Sequence, residues 1–179
     1  RAGGLKTLAK TTGTSPRIID ENGKDRAIHR LRSASIGEQV RLLRNFAKKE
    51  PDAVVLECMA VNPQYQWIAE HKMIQSTISV ITNVRPDHLD EMGFTIKDNS
   101  LSLSNTIPYN GTMVTIEGDL NRDGKLDILD QQISDIFIDV TKKRNTKLFH
   151  ASSENISSAY MGKFGYIEHI DNVALALKV

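Results

Sequence analysis

The sequence predicts an α/β fold: a mostly parallel sheet with helices on both faces. Three observations carry that expectation. Apolar segments of strand length alternate along the chain with longer segments of helical periodicity. The strand segments, such as Ala53-Val54-Val55-Leu56 and Ile78-Ser79-Val80-Ile81, read as near-continuous apolar runs, the pattern of strands covered on both sides. A length of 179 residues is one domain's worth, enough to bury a core without disulfides or a structural metal.

In chain order, residues 6–10 read as the first strand. Residues 13–35 are the least regular part. They are rich in charge, with a turn at Glu21-Asn22-Gly23, and read as a long excursion between strand and helix. A helix over residues 37–49 places Val40, Leu43, Phe46 and Ala47 on one face. Strands follow over 53–57, 78–83, 113–116 and 147–150, with a weaker one at Tyr166-Ile167. The helices between them span 64–74, 96–106, 128–143 and 157–163, and a last one opens at Asp171-Asn172. There is no internal repeat and no low-complexity tract.

Composition bounds the function. With 40% hydrophobic and 25% charged residues and a formal net charge of +1, the chain argues against a nucleic-acid-binding field or a polybasic membrane anchor. The basic run from Arg26 to Arg32 reads as a solvated loop. The lone cysteine, Cys58, gives no disulfide framework, suits a reducing cytoplasm and reads as a small buried residue. No apolar run approaches membrane-spanning length, and no signal peptide opens the chain.

The candidate chemistry sits where two strands end. Ala53–Leu56 runs into Glu57-Cys58-Met59-Ala60-Val61-Asn62-Pro63, and Ile78–Ile81 into Thr82-Asn83-Val84-Arg85-Pro86-Asp87-His88-Leu89-Asp90. The carboxyl ends of parallel strands share one crevice, so Glu57 and the Asp87/His88 pair are expected to converge there on a divalent cation whose remaining ligands are phosphate and water. On spacing alone a second reading is open: Asp87 and Asp90 as turn or N-cap residues after Pro86, and His88 as a surface histidine. Thr11-Thr12-Gly13-Thr14-Ser15 leaves a strand end through a glycine, which lets hydroxyls and backbone N–H groups approach an anion; a plain Ser/Thr-rich turn reads the same way.

These segments, with Tyr65-Gln66, Ile36-Gly37-Glu38-Gln39, Thr106-Ile107-Pro108-Tyr109-Asn110-Gly111, Arg144-Asn145-Thr146-Lys147 and Asp171-Asn172-Val173-Ala174-Leu175-Ala176-Leu177, resemble the ATP-dependent ligases of poly-γ-glutamate synthases, the capsule-forming branch of the Mur ligase superfamily. The resemblance covers nearly the whole chain except residues 118–131. It implies a Mur ligase-like central ATPase domain of the P-loop NTPase type over residues 1–179. The implied activity is capsule synthesis: an acid–amino-acid ligase that uses ATP and Mg²⁺ to form γ-glutamyl amide bonds through an acyl phosphate. The implied partners are glutamate or poly-γ-glutamate, ATP and the membrane subunits of a polymer synthase, at the cytoplasmic inner face of the membrane.

Transferred residue by residue, Glu57 ligates Mg²⁺ at the terminal phosphates and His88 holds a second Mg²⁺ near the acyl phosphate. Asp87 and Asn83 support that loop, Asn83 by bonding its backbone. Thr12, Thr14 and Ser15 lie on the substrate and phosphate side, and Asn172 meets the adenine, although Asp171 or Asn172 reads equally as a helix N-cap. Two departures stand out. Where many Mur ligases and folylpolyglutamate synthetases carry a carbamate-modified lysine, this chain has Ser102 and Leu103, as the capsule branch is expected to. The phosphate-binding loop of the family is not among these residues, so a fragment inactive toward ATP is expected.

The segment outside the resemblance has its own pattern. Asp119, Asn121, Asp123, Asp127 and Asp130 occupy positions 1, 3, 5, 9 and 12 of an EF-hand-type loop, with Gly124 at 6 and the Lys125 carbonyl at 7. The expectation is a structural Ca²⁺ site in an insertion at 118–131, with an acidic surface turn as the alternative. Two further functional classes remain: a non-catalytic nucleotide- or calcium-binding module, and a folylpolyglutamate or peptidoglycan-precursor ligase.

Overall fold

The structure, a computed structural model, describes residues 3–30, 35–116, 118, 126–154 and 156–179. The chain divides into two compact units, Arg1–Met59 and Ala60–Val179. Of the calcium loop, residues 119–125 lie outside the described residues.

Among its described residues the first unit holds one sheet, in the order β3-β2-β1-β4, and one helix. Strand β1 (Thr7–Lys10) pairs parallel with β4 (Ala53–Leu56), Thr7 opposite Ala53 and Lys10 opposite Leu56. On its other side β1 pairs antiparallel with β2 (Arg17–Ile19), and β2 with β3 (Asp25–Ala27). The turn expected at Glu21-Asn22-Gly23 is present: the Asp20 carboxylate accepts the N–H groups of Asn22 and Lys24 at 3.0 Å. The excursion around it is more regular than expected, because β2 gains ladder bonds from β1 and β3 from β2, although both strands are only three residues long. Helix α1 (Ile36–Ala47) buries Phe46 and Gln39, and Ser35 caps it by accepting the Glu38 N–H. The expected apolar face is met at Phe46, whereas Ala47 is exposed. Cys58, expected to be buried, is exposed.

The second unit is built on the wholly parallel sheet β5-β6-β7, formed by Ile78–Ile81, Thr112–Ile116 and Lys147–Ala151. Alternation along β6 sends Met113 and Val114 to opposite faces. On one face Met113 joins Ile81, Ile107 and Phe137, closed by Leu103 of α4 (Ile96–Leu103) and Ile133, Ile136 and Val140 of α5 (Ile128–Lys143). On the other, Val114 and Ala151 pack on Ala174 and Leu175 of α7 (Ile170–Lys178). Helices on both faces are what the continuous apolar strands required, and burying each large apolar side chain contributes about 1.5–3 kcal/mol.

Helix α2 (Pro63–Ile68) starts from Asn62, whose side chain accepts the Gln64 N–H, and continues as a π-helical turn, Ala69–Ile74. The short α3 (Leu89–Met92) was not expected. Helix α6 covers only Ser158–Met161. The weak strand at Tyr166-Ile167 is not formed; Ile167 is 97% exposed, with no neighbouring strand to pair it. The expected side-by-side strands ending at Glu57 and Asn83 are also absent from the ladders: among the described residues β4 pairs with β1 and β5 with β6.

Candidate functional site

In the first unit the end of β1 and the end of β4 meet. The parallel register brings Leu56 opposite Lys10, and the Glu57 N–H donates to the Lys10 carbonyl at 3.0 Å. The exposed Glu57 carboxylate turns back and accepts the Thr12 N–H at 2.7 Å through Oε2. Gly13 follows with φ +77°, a left-handed conformation that a side chain would strain. Thr11 closes the turn, its Oγ1 accepting the Arg17 N–H at 2.9 Å. Thr12 and Glu57 are thus brought together, while Thr14 and Ser15 lie exposed on the same turn.

Beneath this turn lies a charged group that includes Arg30, from the basic run expected to be a solvated loop. Lys10 shares the buried face of β1 with Leu8 and is 1% exposed. Its Nζ makes no hydrogen bond and stands 3.6 Å from Glu38 Oε1. Burial pushes this ammonium below the ordinary lysine range, against the pull of Glu38. Arg30 grips the same carboxylate with two parallel bonds of 2.6 Å, Nε to Oε2 and Nη2 to Oε1, and this guanidinium holds Glu38 below the usual carboxylate range. The carboxylate nearest the lysine is thus Glu38, not Glu57.

In the second unit the loop after β5 carries Asp87 and His88, both exposed. Asp87 Oδ1 accepts the His88 N–H at 2.8 Å, and Oδ2 stands 3.8 Å from His88 Nε2. His88 sits in the left-handed region, φ +46° and ψ +48°, at the start of α3. The support assigned to Asn83 is supplied by Asn99 of α4. This side chain is wholly buried; its Oδ1 accepts the Asp87 N–H at 3.3 Å, and its Nδ2 donates to the carbonyls of Gly93 and Thr95 at 2.9 and 3.0 Å. A capping box between Thr95 and Asp98 fixes the start of α4 and hence the position of Asn99. Ser102, one of the two positions where the resemblance looks for a modified lysine, is buried and donates to Gln66 Oε1 at 3.0 Å, so it packs α4 against α2.

Asn172 lies in the first turn of α7 and donates to Glu168 Oε1 at 3.0 Å. The N-cap is His169 and not Asp171 or Asn172, with no side-chain capping bond. At the other end of the expected calcium loop, Asp127 caps α5 by accepting the Asp130 N–H at 2.8 Å. Among the described residues no group of three or more His, Cys, Asp or Glu side chains could hold a metal ion. What each unit offers instead is a small donor set, Glu57 in one and Asp87 with His88 in the other. That fits Mg²⁺, which takes one or two protein ligands and fills its octahedron with phosphate and water.

The chain is 41% identical over 178 residues to the capsule biosynthesis protein CapB of Bacillus anthracis, covering 97% of this chain and 35% of that protein. It is 38% identical over 178 residues to the PGA synthase CapB of Bacillus subtilis (strain 168), covering 98% of this chain and 42% of that protein. The chain is a relative of the CapB proteins. It spans roughly two fifths or less of their length. No protein-family model matches it. Among solved structures, an FPGS–AMPPCP complex superposes with a TM-score of 0.53 at 16% identity, over 83% of this chain and 39% of the other. The apo form of L. casei FPGS gives 0.52, again at 16% identity, with the same coverage. At that identity the likeness establishes the fold, an α/β arrangement shared with folylpolyglutamate synthases.

Proposed function

We propose that this chain is part of an ATP-dependent amide ligase that builds poly-γ-glutamate. The observation that carries the reading is the similarity to two CapB proteins, one named a PGA synthase, 41% and 38% identical over nearly the whole chain. The Thr12–Glu57 arrangement at the strand ends supports it, since a carboxylate beside backbone donors is what a metal–phosphate centre uses. In this reading a γ-carboxylate oxygen attacks the terminal phosphorus of ATP, giving an acyl phosphate and ADP. The amine of the next glutamate then attacks the acyl carbon, forming the amide and releasing phosphate. Glu57 would hold one Mg²⁺ and His88, oriented by Asp87, a second, and such ions would supply positive charge for the phosphate oxygens. The Thr12 to Ser15 turn faces the phosphate side, and Asn172 serves the adenine edge.

Association with membrane subunits at the inner face of the membrane belongs to this proposal. Among the described residues, no helix is long and apolar enough to cross a membrane. The fold likeness to folylpolyglutamate synthase favours a second reading, in which the acceptor is a folyl glutamate. One assay separates them: the protein, expressed from its complete reading frame, is given radiolabelled glutamate, ATP and Mg²⁺ with either poly-γ-glutamate or folate as acceptor. ADP release coupled to a lengthened poly-γ-glutamate supports the first reading. Labelled folate products replace it with the second, and ADP release with neither acceptor leaves no ligase reading standing.

A further inference from the structure

Ser35-Ile36-Gly37-Glu38 has the spacing of a capping box, in which the glutamate turns back to the N–H of the residue that starts the helix. Only half of it is used. Ser35 accepts the Glu38 N–H at 3.3 Å, but the Glu38 carboxylate goes to Arg30 and Lys10. A side chain diverted from its local role marks a place where another requirement prevails.

That requirement is legible in the remaining bonds of Arg30. With Nε and Nη2 locked on Glu38, the guanidinium reaches Thr12 Oγ1 at 3.4 Å from Nη2 and the Gly13 carbonyl at 3.5 Å from Nη1. Thr12 in turn gives its N–H to Glu57. Two cations, Lys10 and Arg30, and two carboxylates, Glu38 and Glu57, are therefore linked through one glycine turn. The buried ammonium of Lys10 anchors the group from below, since removing Glu38 would leave it without its nearest carboxylate. One Glu57 oxygen is occupied by the Thr12 N–H, which fixes the rotation of the carboxylate and leaves the other oxygen to a cation.

We propose that Arg30 and Glu38 are positioning residues for the metal-binding carboxylate: Arg30, locked by Glu38, holds the Thr12–Gly13 turn so that the Thr12 N–H sets the orientation of Glu57. This rests on the reading of Glu57 as a Mg²⁺ ligand. In this arrangement Arg30 and Glu38 act on Glu57 through Thr12.

The test is Mn²⁺ binding to the protein from its complete reading frame, followed by electron paramagnetic resonance with a non-hydrolysable ATP analogue present. Arg30→Lys keeps the charge and loses the two-pronged grip, and Glu38→Gln keeps the shape and loses the charge. Each is expected to weaken Mn²⁺ binding by about 10-fold or more, the usual effect of disturbing a group that orients a ligand. The double variant should be little worse than either single one, because both break the same link. In turnover, the Mg²⁺ concentration for half-maximal rate should rise while the rate at saturating Mg²⁺ is largely recovered. Should Glu38→Gln not fold, Lys10→Met/Glu38→Gln removes the buried cation with its partner and reads the same quantity. Unchanged Mn²⁺ affinity in these variants, with binding lost in Glu57→Gln, would reduce Arg30 and Glu38 to structural residues while Glu57 keeps its role. Unchanged affinity in Glu57→Gln overturns the Glu57 reading and the positioning role together.

Discussion

The Thr12 N–H and the Glu57 carboxylate are 2.7 Å apart, a bond between residues 45 positions distant that ties the turn leaving β1 to the end of β4. It separates two things usually lost together in mutagenesis, the shape of a site and its charge. A glutamine at 57 keeps an oxygen for the Thr12 N–H; an alanine keeps neither.

Glu57→Gln should therefore abolish ATP-dependent ligation yet melt within a few degrees of the parent. Glu57→Ala should abolish ligation and also lose about 1 kcal/mol of stability for the missing hydrogen bond. Denaturant titration beside a glutamate-incorporation assay checks both. Ligation by the glutamine variant within a few-fold of the parent would mean that Glu57 serves only the turn.

The left-handed backbone of His88 allows a similar separation. Asparagine adopts this conformation readily and a β-branched residue does not. His88→Asn is expected to preserve stability and lose ligation, whereas His88→Val should lose both, with about 1–2 kcal/mol of destabilisation from the backbone alone. Equal stability of the two variants in urea would show that the loop relaxes without cost.

His71 predicts a pH dependence. Its ring lies between Trp67 and Tyr109, with centroids 5.2 and 5.0 Å away, and its Nε2 is buried without a partner. Burial first, then the Arg144 charge, pushes it below the ordinary histidine range; Lys72 adds to this and a backbone bond at Asn105 opposes it. The folded state thus resists a proton that the unfolded state accepts. Stability from this group is complete above the ordinary value of 6.5 and is lost as pH falls below it toward the depressed folded value. His71→Phe keeps the aromatic stack and removes the titration. The loss of stability between pH 7 and pH 5, measured by urea unfolding, should be smaller in that variant; the same slope in both would exclude His71 as its source.

The calcium loop is tested by melting. If Asp119, Asn121, Asp123, the Lys125 carbonyl and Asp130 converge on Ca²⁺, millimolar Ca²⁺ raises the melting temperature and Mg²⁺ raises it less, because the loop offers many flexible oxygens. Asp123→Ala should remove the difference. Identical curves with and without Ca²⁺ would leave an acidic turn before α5.

Much of the fold was legible because its strands are continuous apolar runs and its long helices carry capping residues. The failures have physical causes. Strand β3 is charged and exposed, and β2 is three residues long, so only their pairing, β2 with β1 and β3 with β2, reveals them. Tyr166-Ile167 has strand-like residues and no partner. At the site, Glu57 and Thr12 could be read from strand ends and a glycine turn, but Arg30, Glu38 and Asn99 could not. A charged run looks solvated until Arg30 is seen to grip a helix start. Asn99 sits within a helix, where sequence gives no sign that its amide will hold a neighbouring loop.

The parallel pairing of the second sheet bears on how the chain reaches this structure. No two of its strands are joined by a hairpin: β5 meets β6 only after α3 and α4 have formed a crossover, and β6 meets β7 only after α5 has done so. Each ladder therefore requires a long loop to close before any strand bond rewards it, which makes assembly slow compared with the local meander of β1, β2 and β3. During synthesis Ile78–Ile81 emerges well before its partner Thr112–Ile116, and an apolar strand waiting for a distant neighbour is open to pairing with another chain. Expression at low temperature or with chaperones should raise the yield of this unit more than any stabilising change in its finished core.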